Sequence, residues 1–141
     1  MTESLEQAPA AVIGLLPRLR RFARTLAHDA DEADDIVVNA IARALADWEH
    51  APIDREPWLF GLVRGAALTQ TRTARPSLAD THHESSVVAE LQALPEEQRT
   101  AIALVLIEGL SYAQAARAMD LPVGTLTSRL ARGREALQAV L

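Results

Sequence analysis

The chain has 141 residues, 49% of them hydrophobic, enough for one moderate domain or two small ones. It has no cysteine, which excludes disulfides and thiolate metal sites, and no stretch approaches the roughly 20 apolar residues of a membrane span. The first residues lack the positive region of a signal peptide, so a soluble, cytoplasmic protein with no membrane insertion is expected. A net charge of −5 argues against a DNA binder, yet residues 62–75 hold three arginines and no acid, and residues 121–141 hold three arginines against one glutamate.

Residues 1–10 carry no pattern and are expected to form a flexible arm. Leu15, Leu19, Phe22 and Leu26 then repeat at helical spacing, with Arg18, Arg20, Arg21 and Arg24 on the other faces, read as solvated rather than as a nucleic-acid surface. The acids between Asp29 and Asp35 suit a helix N-terminus, and Ile36, Ala40, Ala44 and Trp48 with Val37, Ile41 and Leu45 extend as a broad apolar stripe. Consecutive acids of this kind serve as caps more often than as a metal site. Pro57, Trp58, Leu59, Leu62, Val63 and Leu68 signal a third helix, ended by Pro76.

Residues 76–86 are polar and unpatterned and are expected to be a linker. Its His82-His83 pair is poorly arranged to chelate, because neighbours in an extended strand point to opposite sides. Val87, Val88, Leu91 and Leu94 suggest the next helix, and Pro95-Glu96-Glu97 restarts another, with Ala101, Leu104, Val105 and Leu106 turned inward. Gly109 is placed to end that helix in the left-handed conformation, and Ser111 with Gln114 forms a capping box that starts the next. Asp120-Leu121-Pro122 breaks it. A final helix carries Leu126, Leu130 and Leu137 on one face, with Thr125, Thr127, Ser128, Arg129 and Arg132 around the rest. Two short helices and a tight turn make a helix-turn-helix, the geometry that puts a helix into the DNA major groove.

Motifs in both halves resemble one family. Leu94-Pro95-Glu96-Glu97-Gln98-Arg99, Glu108-Gly109-Leu110-Ser111-Tyr112, Pro122-Val123-Gly124-Thr125 and Ser128-Arg129-Leu130 resemble region four of bacterial sigma factors of the extracytoplasmic-function (ECF) group. Leu16-Pro17-Arg18-Leu19-Arg20-Arg21-Phe22-Ala23, Ala33-Asp34-Asp35-Ile36-Val37, Arg43-Ala44-Leu45 with Trp48, and Trp58-Leu59-Phe60 followed by Arg64 resemble region two.

The resemblance implies an all-α protein of two small helical domains, a region-two bundle over residues 11–75 and a region-four helix-turn-helix over residues 87–141. It implies that Asp34, Asp35 and Asn39 meet core RNA polymerase. Arg64, Arg72 and Arg75 then face the melted downstream promoter strand, and Thr125, Thr127, Ser128, Arg129 and Arg132 read the upstream promoter element. It also implies an anti-sigma factor as partner. The chain departs from the family at Val38, Asn39, Gly65, Thr69 and Thr73, and at Thr127, where a lysine is usual.

Two functions follow. One is an alternative sigma factor that directs promoter-specific transcription initiation. The other is a sigma-like decoy that binds an anti-sigma factor without initiating transcription, favoured by those departures in the first lobe. No phosphate loop, catalytic triad spacing or two-histidine zinc motif is present, so neither an enzyme nor a cofactor is expected.

Overall fold

The computed structural model describes the backbone of residues 2–73 and 86–140, with side chains over residues 10–70 and 90–139. Seven α-helices and no strand occur among the described residues: α1 (Thr2–Leu26), α2 (Ala30–Ala46), α3 (Arg55–Thr73), α4 (Ser86–Ala93), α5 (Glu96–Ile102), α6 (Tyr112–Met119) and α7 (Val123–Val140). A turn of 3-10 helix, Trp48–His50, follows α2, and a π-helical segment, Ala103–Ile107, continues α5. The all-α expectation holds. The linker with its two histidines lies outside the described residues, and α1 already begins at Thr2, within the stretch expected to be an arm.

The helices of the first lobe start and turn inward as local chemistry dictates. Asp29 caps α2, its carboxylate accepting the Glu32 N–H at 2.7 Å. Ile36, Val37, Ala40 and Ala44 of α2 are buried against Leu19, Phe22 and Leu26 of α1 and Leu59, Phe60 and Val63 of α3. The Phe22 and Phe60 rings meet edge to face at 5.3 Å. Leu45, expected in the apolar stripe, is 40% exposed. Each step of four residues overshoots a helical turn by about 40°, so the row Val37, Ile41, Leu45 rotates from core to solvent. Trp48 is buried, but from the 3-10 turn, where it packs beside Val12 and Trp58 as a small satellite of the core.

In the second lobe Leu91, Leu94, Ala101, Ile102, Leu104, Leu110, Met119, Leu126 and Leu130 are buried. Pro95 stands at the N-cap of α5 rather than inside it, and Glu96 and Glu97 fill the first turn. Leu106, expected to be inward, is 47% exposed. The π-helical segment explains this: the Glu108 N–H donates to the Ala103 carbonyl at 2.9 Å, five residues back, and the extra residue shifts the inward face by about one position.

The two lobes share one core. Phe22, Phe60 and Val63 belong to the same buried cluster as Leu104, Met119 and Leu126. α3 and α6 pack tightly at Gly61, where a Cβ would stand 3.0 Å from the Ala118 carbonyl oxygen of α6. Gly65, one turn on, has open space around the same position. Opposite outcomes are therefore expected for one substitution at two glycines of one helix. Gly65→Ala should raise stability by about 0.5–1 kcal/mol, since alanine favours helix and meets nothing. Gly61→Ala should lower it by about 1–3 kcal/mol by forcing α6 off α3. Urea melts of both variants check this, and equal shifts would refute the close packing at Gly61.

Candidate nucleic-acid interface

The helix-turn-helix is built from consecutive caps. Gly109 takes φ +77°, and the Leu110 N–H donates to the Leu104 carbonyl at 2.9 Å, closing the helix that precedes the motif. Ser111 Oγ accepts the Gln114 N–H at 3.0 Å while Gln114 Oε1 accepts the Ser111 N–H at 3.0 Å, the expected capping box. α6 ends at Asp120, in the left-handed region at φ 55°, a conformation aspartate tolerates better than most residues. The Leu121 N–H reaches back to the Ala116 carbonyl at 2.9 Å, and the Pro122 carbonyl then accepts the Thr125 and Leu126 N–H groups at 3.1 Å to start α7.

α7 has two faces. Leu126, Leu130 and Gly133 are buried and Leu137 is partly so, with Gly133 tight against Ile102 of α5. Thr125, Ser128, Arg129 and Arg132, at i, i+3, i+4 and i+7, share a side that flanks the buried stripe. Ser128 and Arg132 are exposed, whereas Thr125, Thr127 and Arg129 are half-buried. The Thr127 hydroxyl donates to the Gly124 carbonyl at 2.9 Å, and Arg129 Nη2 lies 3.0 Å from Glu97 Oε2. Among the described residues Arg132 makes no ion pair.

The first-lobe candidates are scattered. Asp34, Asp35 and Asn39 are exposed on α2, with Arg20 Nη2 3.7 Å from Asp34 Oδ1 and Asn39 Nδ2 3.4 Å from Gln70 Oε1. Between them Val38 is 64% exposed. Arg64 is turned toward the second lobe: its Nη1 donates to the Met119 carbonyl at 3.4 Å, and its Nε is 3.8 Å from Glu96 Oε1. Arg72 lies in the last turn of α3 with its side chain outside the described residues, and Arg75 lies wholly outside them.

A cluster that the sequence reading passed over joins the lobes. The Glu108 side chain is fully buried, and Arg21 grips it with two parallel bonds, Nε to Oε2 at 2.9 Å and Nη2 to Oε1 at 2.8 Å. Arg18 donates to the Glu108 carbonyl, stands 3.5 Å from its carboxylate, and reaches Glu56 Oε1 at 2.6 Å. The Glu108 carboxylate accordingly holds the Arg21 guanidinium above its ordinary pKa. So two of the four α1 arginines, Arg18 and Arg21, pair with the second lobe, although Arg21 stays 54% exposed at its side chain. The available signal was the placing of an acid at a helix C-terminus, where the helix dipole disfavours it. A second, exposed tie joins Asp54 to Gln114 Nε2 and Arg117 Nη2, both at 3.2 Å.

A two-lobed helical protein whose second lobe presents a polar, arginine-bearing helix behind a capped turn is of the helix-turn-helix class of DNA-binding proteins. Comparison with known proteins narrows this. The family model for sigma-70 region 4 matches residues 85–137, and that for the sigma2 domain of PhyR matches residues 12–64. The ECF RNA polymerase sigma factor EcfG of Rhodopseudomonas palustris is 34% identical over 100% of this chain and 87% of its own. The RNA polymerase sigma-H factor of Pseudomonas aeruginosa is 48% identical over 92% of this chain and 80% of its own. Among solved structures, the sigma factor RpoE of Bartonella quintana, in complex with the anti-sigma factor NepR, has a TM-score of 0.81 at 27% identity, covering 93% of this chain and 94% of that one. The chain belongs to the extracytoplasmic-function group of the sigma-70 family.

The cap that positions α6 can be tested directly. Ser111→Ala removes one half of the capping box and should cost about 1 kcal/mol in a thermal or urea melt. Stability equal to that of the parent protein would show that the box does not hold the motif.

Proposed function

We propose that this protein is an alternative sigma factor that binds core RNA polymerase, directs it to particular promoters and is held in check by an anti-sigma factor. The observation that carries the reading is α7. Its apolar face is fixed in the core while Ser128 and Arg132 project outward, in a chain aligned along its whole length with an ECF sigma factor. In this reading Thr125, Thr127, Ser128, Arg129 and Arg132 contact the upstream element. Asp34, Asp35 and Asn39 meet polymerase around the exposed Val38, and Arg64, Arg72 and Arg75 face the downstream strand. In this reading the units are residues 1–10, an extension that is helical from Thr2, a region-two lobe (11–75), a linker (76–86) and a region-four lobe (87–141). The role is cytoplasmic and non-catalytic; among the described residues no helix is long and apolar enough to cross a membrane. That the Bartonella relative was solved with an anti-sigma factor supports a partner of that kind. Near-complete coverage of sigma factors favours this reading over a decoy that never meets polymerase.

Two measurements test it. Purified protein mixed with core RNA polymerase should co-migrate on a sizing column, as an established ECF sigma factor does; failure of a folded, helical protein to do so would refute polymerase binding by the free form. In the assembled holoenzyme, Arg129→Ala should weaken promoter binding by about 1–3 kcal/mol if Arg129 reads a base. A phosphate contact instead lowers the salt slope by about one, and unchanged binding at low salt removes Arg129 from the interface.

A further inference from the structure

The five side chains assigned to the upstream element are not equally free to meet DNA. Ser128 and Arg132 are exposed, whereas the Thr127 hydroxyl proton is taken by the Gly124 carbonyl. Arg129 is tied from outside the motif. Its side chain is 26% exposed, and its Nη2 stands 3.0 Å from Oε2 of Glu97, a residue of α5. Glu97 lies in the first turn of α5, where the helix dipole favours a carboxylate. Its neighbour Glu96 is engaged elsewhere, by the Thr100 hydroxyl at 3.1 Å and by Arg64 at 3.8 Å, which leaves Glu97 to Arg129. The crossing of α5 and α7 braces this pair: a Cβ on Gly133 would stand 3.4 Å from the carbonyl oxygen of Gln98, the residue after Glu97.

A free arginine beside duplex DNA binds phosphate wherever it lands, and each such contact adds affinity without sequence information. An arginine already paired displaces fewer counterions, and the carboxylate at its side repels the phosphate backbone. The same pairing fixes the direction of the guanidinium. With Nη2 toward Glu97, the remainder of the donor fork is left for a base edge. Resting on the sigma-factor reading above, we infer that Glu97 is a positioning residue for promoter recognition. It holds Arg129 along the edge of α7 and withholds it from phosphate, so that Arg129 contributes sequence discrimination and little non-specific affinity.

Glu97→Gln tests this, since it removes the charge and keeps the shape at a side chain that is 50% exposed. Circular dichroism establishes that the variant is folded. Binding of the full-length protein to a labelled duplex of random sequence is then followed by anisotropy over a range of salt. The plot of log K against log salt should steepen by about 0.9, the release expected for one added phosphate contact. Glu97→Gln added to Arg129→Ala should leave the Arg129→Ala slope unchanged; a gain that persists without Arg129 is general repulsion of DNA by Glu97 and overturns the inference. Sequence preference is read in the holoenzyme, by selection from duplexes of randomised sequence. The parent should recover a preferred upstream element, and Glu97→Gln should lose about tenfold in discrimination at one of its base pairs. A carboxylate that served stability alone would move neither readout, because lost stability lowers the active fraction equally for every sequence. An unchanged slope in folded Glu97→Gln overturns the inference, whatever the holoenzyme selects. A steeper slope with unchanged preference takes Arg129 off the bases and overturns it as well. A steeper slope with no sequence recovered even by the parent holoenzyme upholds the tether and overturns the sigma-factor reading, so the two failures are told apart.

Discussion

A carboxylate removed from water needs charge and hydrogen bonds in return, and at Glu108 both come from the opposite lobe. Much of the architecture is set by that requirement. Arg18 and Arg21, three residues apart, lie on neighbouring positions of α1, and Leu19 and Phe22 beside them enter the core. The π-helical segment brings Glu108 inward and turns Leu106 and Ile107 partly to solvent. Gly109 then permits the reversal that starts the helix-turn-helix. The orientation of the DNA-reading motif is thus coupled to the first lobe through one residue before its first turn.

Charge fixes the register of the junction and shape supplies its depth. A lobe of some 55 residues buries too little surface to be secure by itself, and here it completes its core on the first lobe. The approach of α6 to α3 is possible because Gly61 has no side chain against the Ala118 carbonyl. Gly133 does the same for α7 on α5, where a Cβ would stand 2.5 Å from Ile102 Cδ1. Small residues at these two crossings let Met119 and Leu126 reach the depth of Phe22 and Phe60.

What could be read from the sequence divides along the same line. The Asp29 cap, the Ser111–Gln114 box, the left-handed Gly109 and the break before α7 depend on residues within a few positions of each other, and each was legible. The misplacements of Leu45 and Leu106 arise where a helix drifts or gains a residue, which a fixed period does not represent. The Glu108 cluster joins residues some 90 apart in the chain. Composition offered four arginines on one helix and an acid at the end of another, but only the fold pairs them. The same is true of Arg64, whose sequence position suggested nucleic acid and whose side chain faces Met119 and Glu96.

Every one of the 14 basic residues is an arginine, and several are already engaged by the protein's own acids: Arg18 and Arg21 by Glu108, Arg117 by Asp54, Arg129 by Glu97. This bears on the net charge of −5, which alone argues against DNA. Non-specific affinity comes from cations free to displace counterions from phosphate, and on α7 Arg132 is the candidate reading-face arginine without an ion pair among the described residues. A surface of that kind binds duplex weakly by itself. In the proposed function it does not act by itself: a polymerase that already holds the DNA raises the effective concentration of α7 at its site. Low intrinsic charge at the reading face then favours sequence over backbone, since contacts that carry no sequence information contribute little.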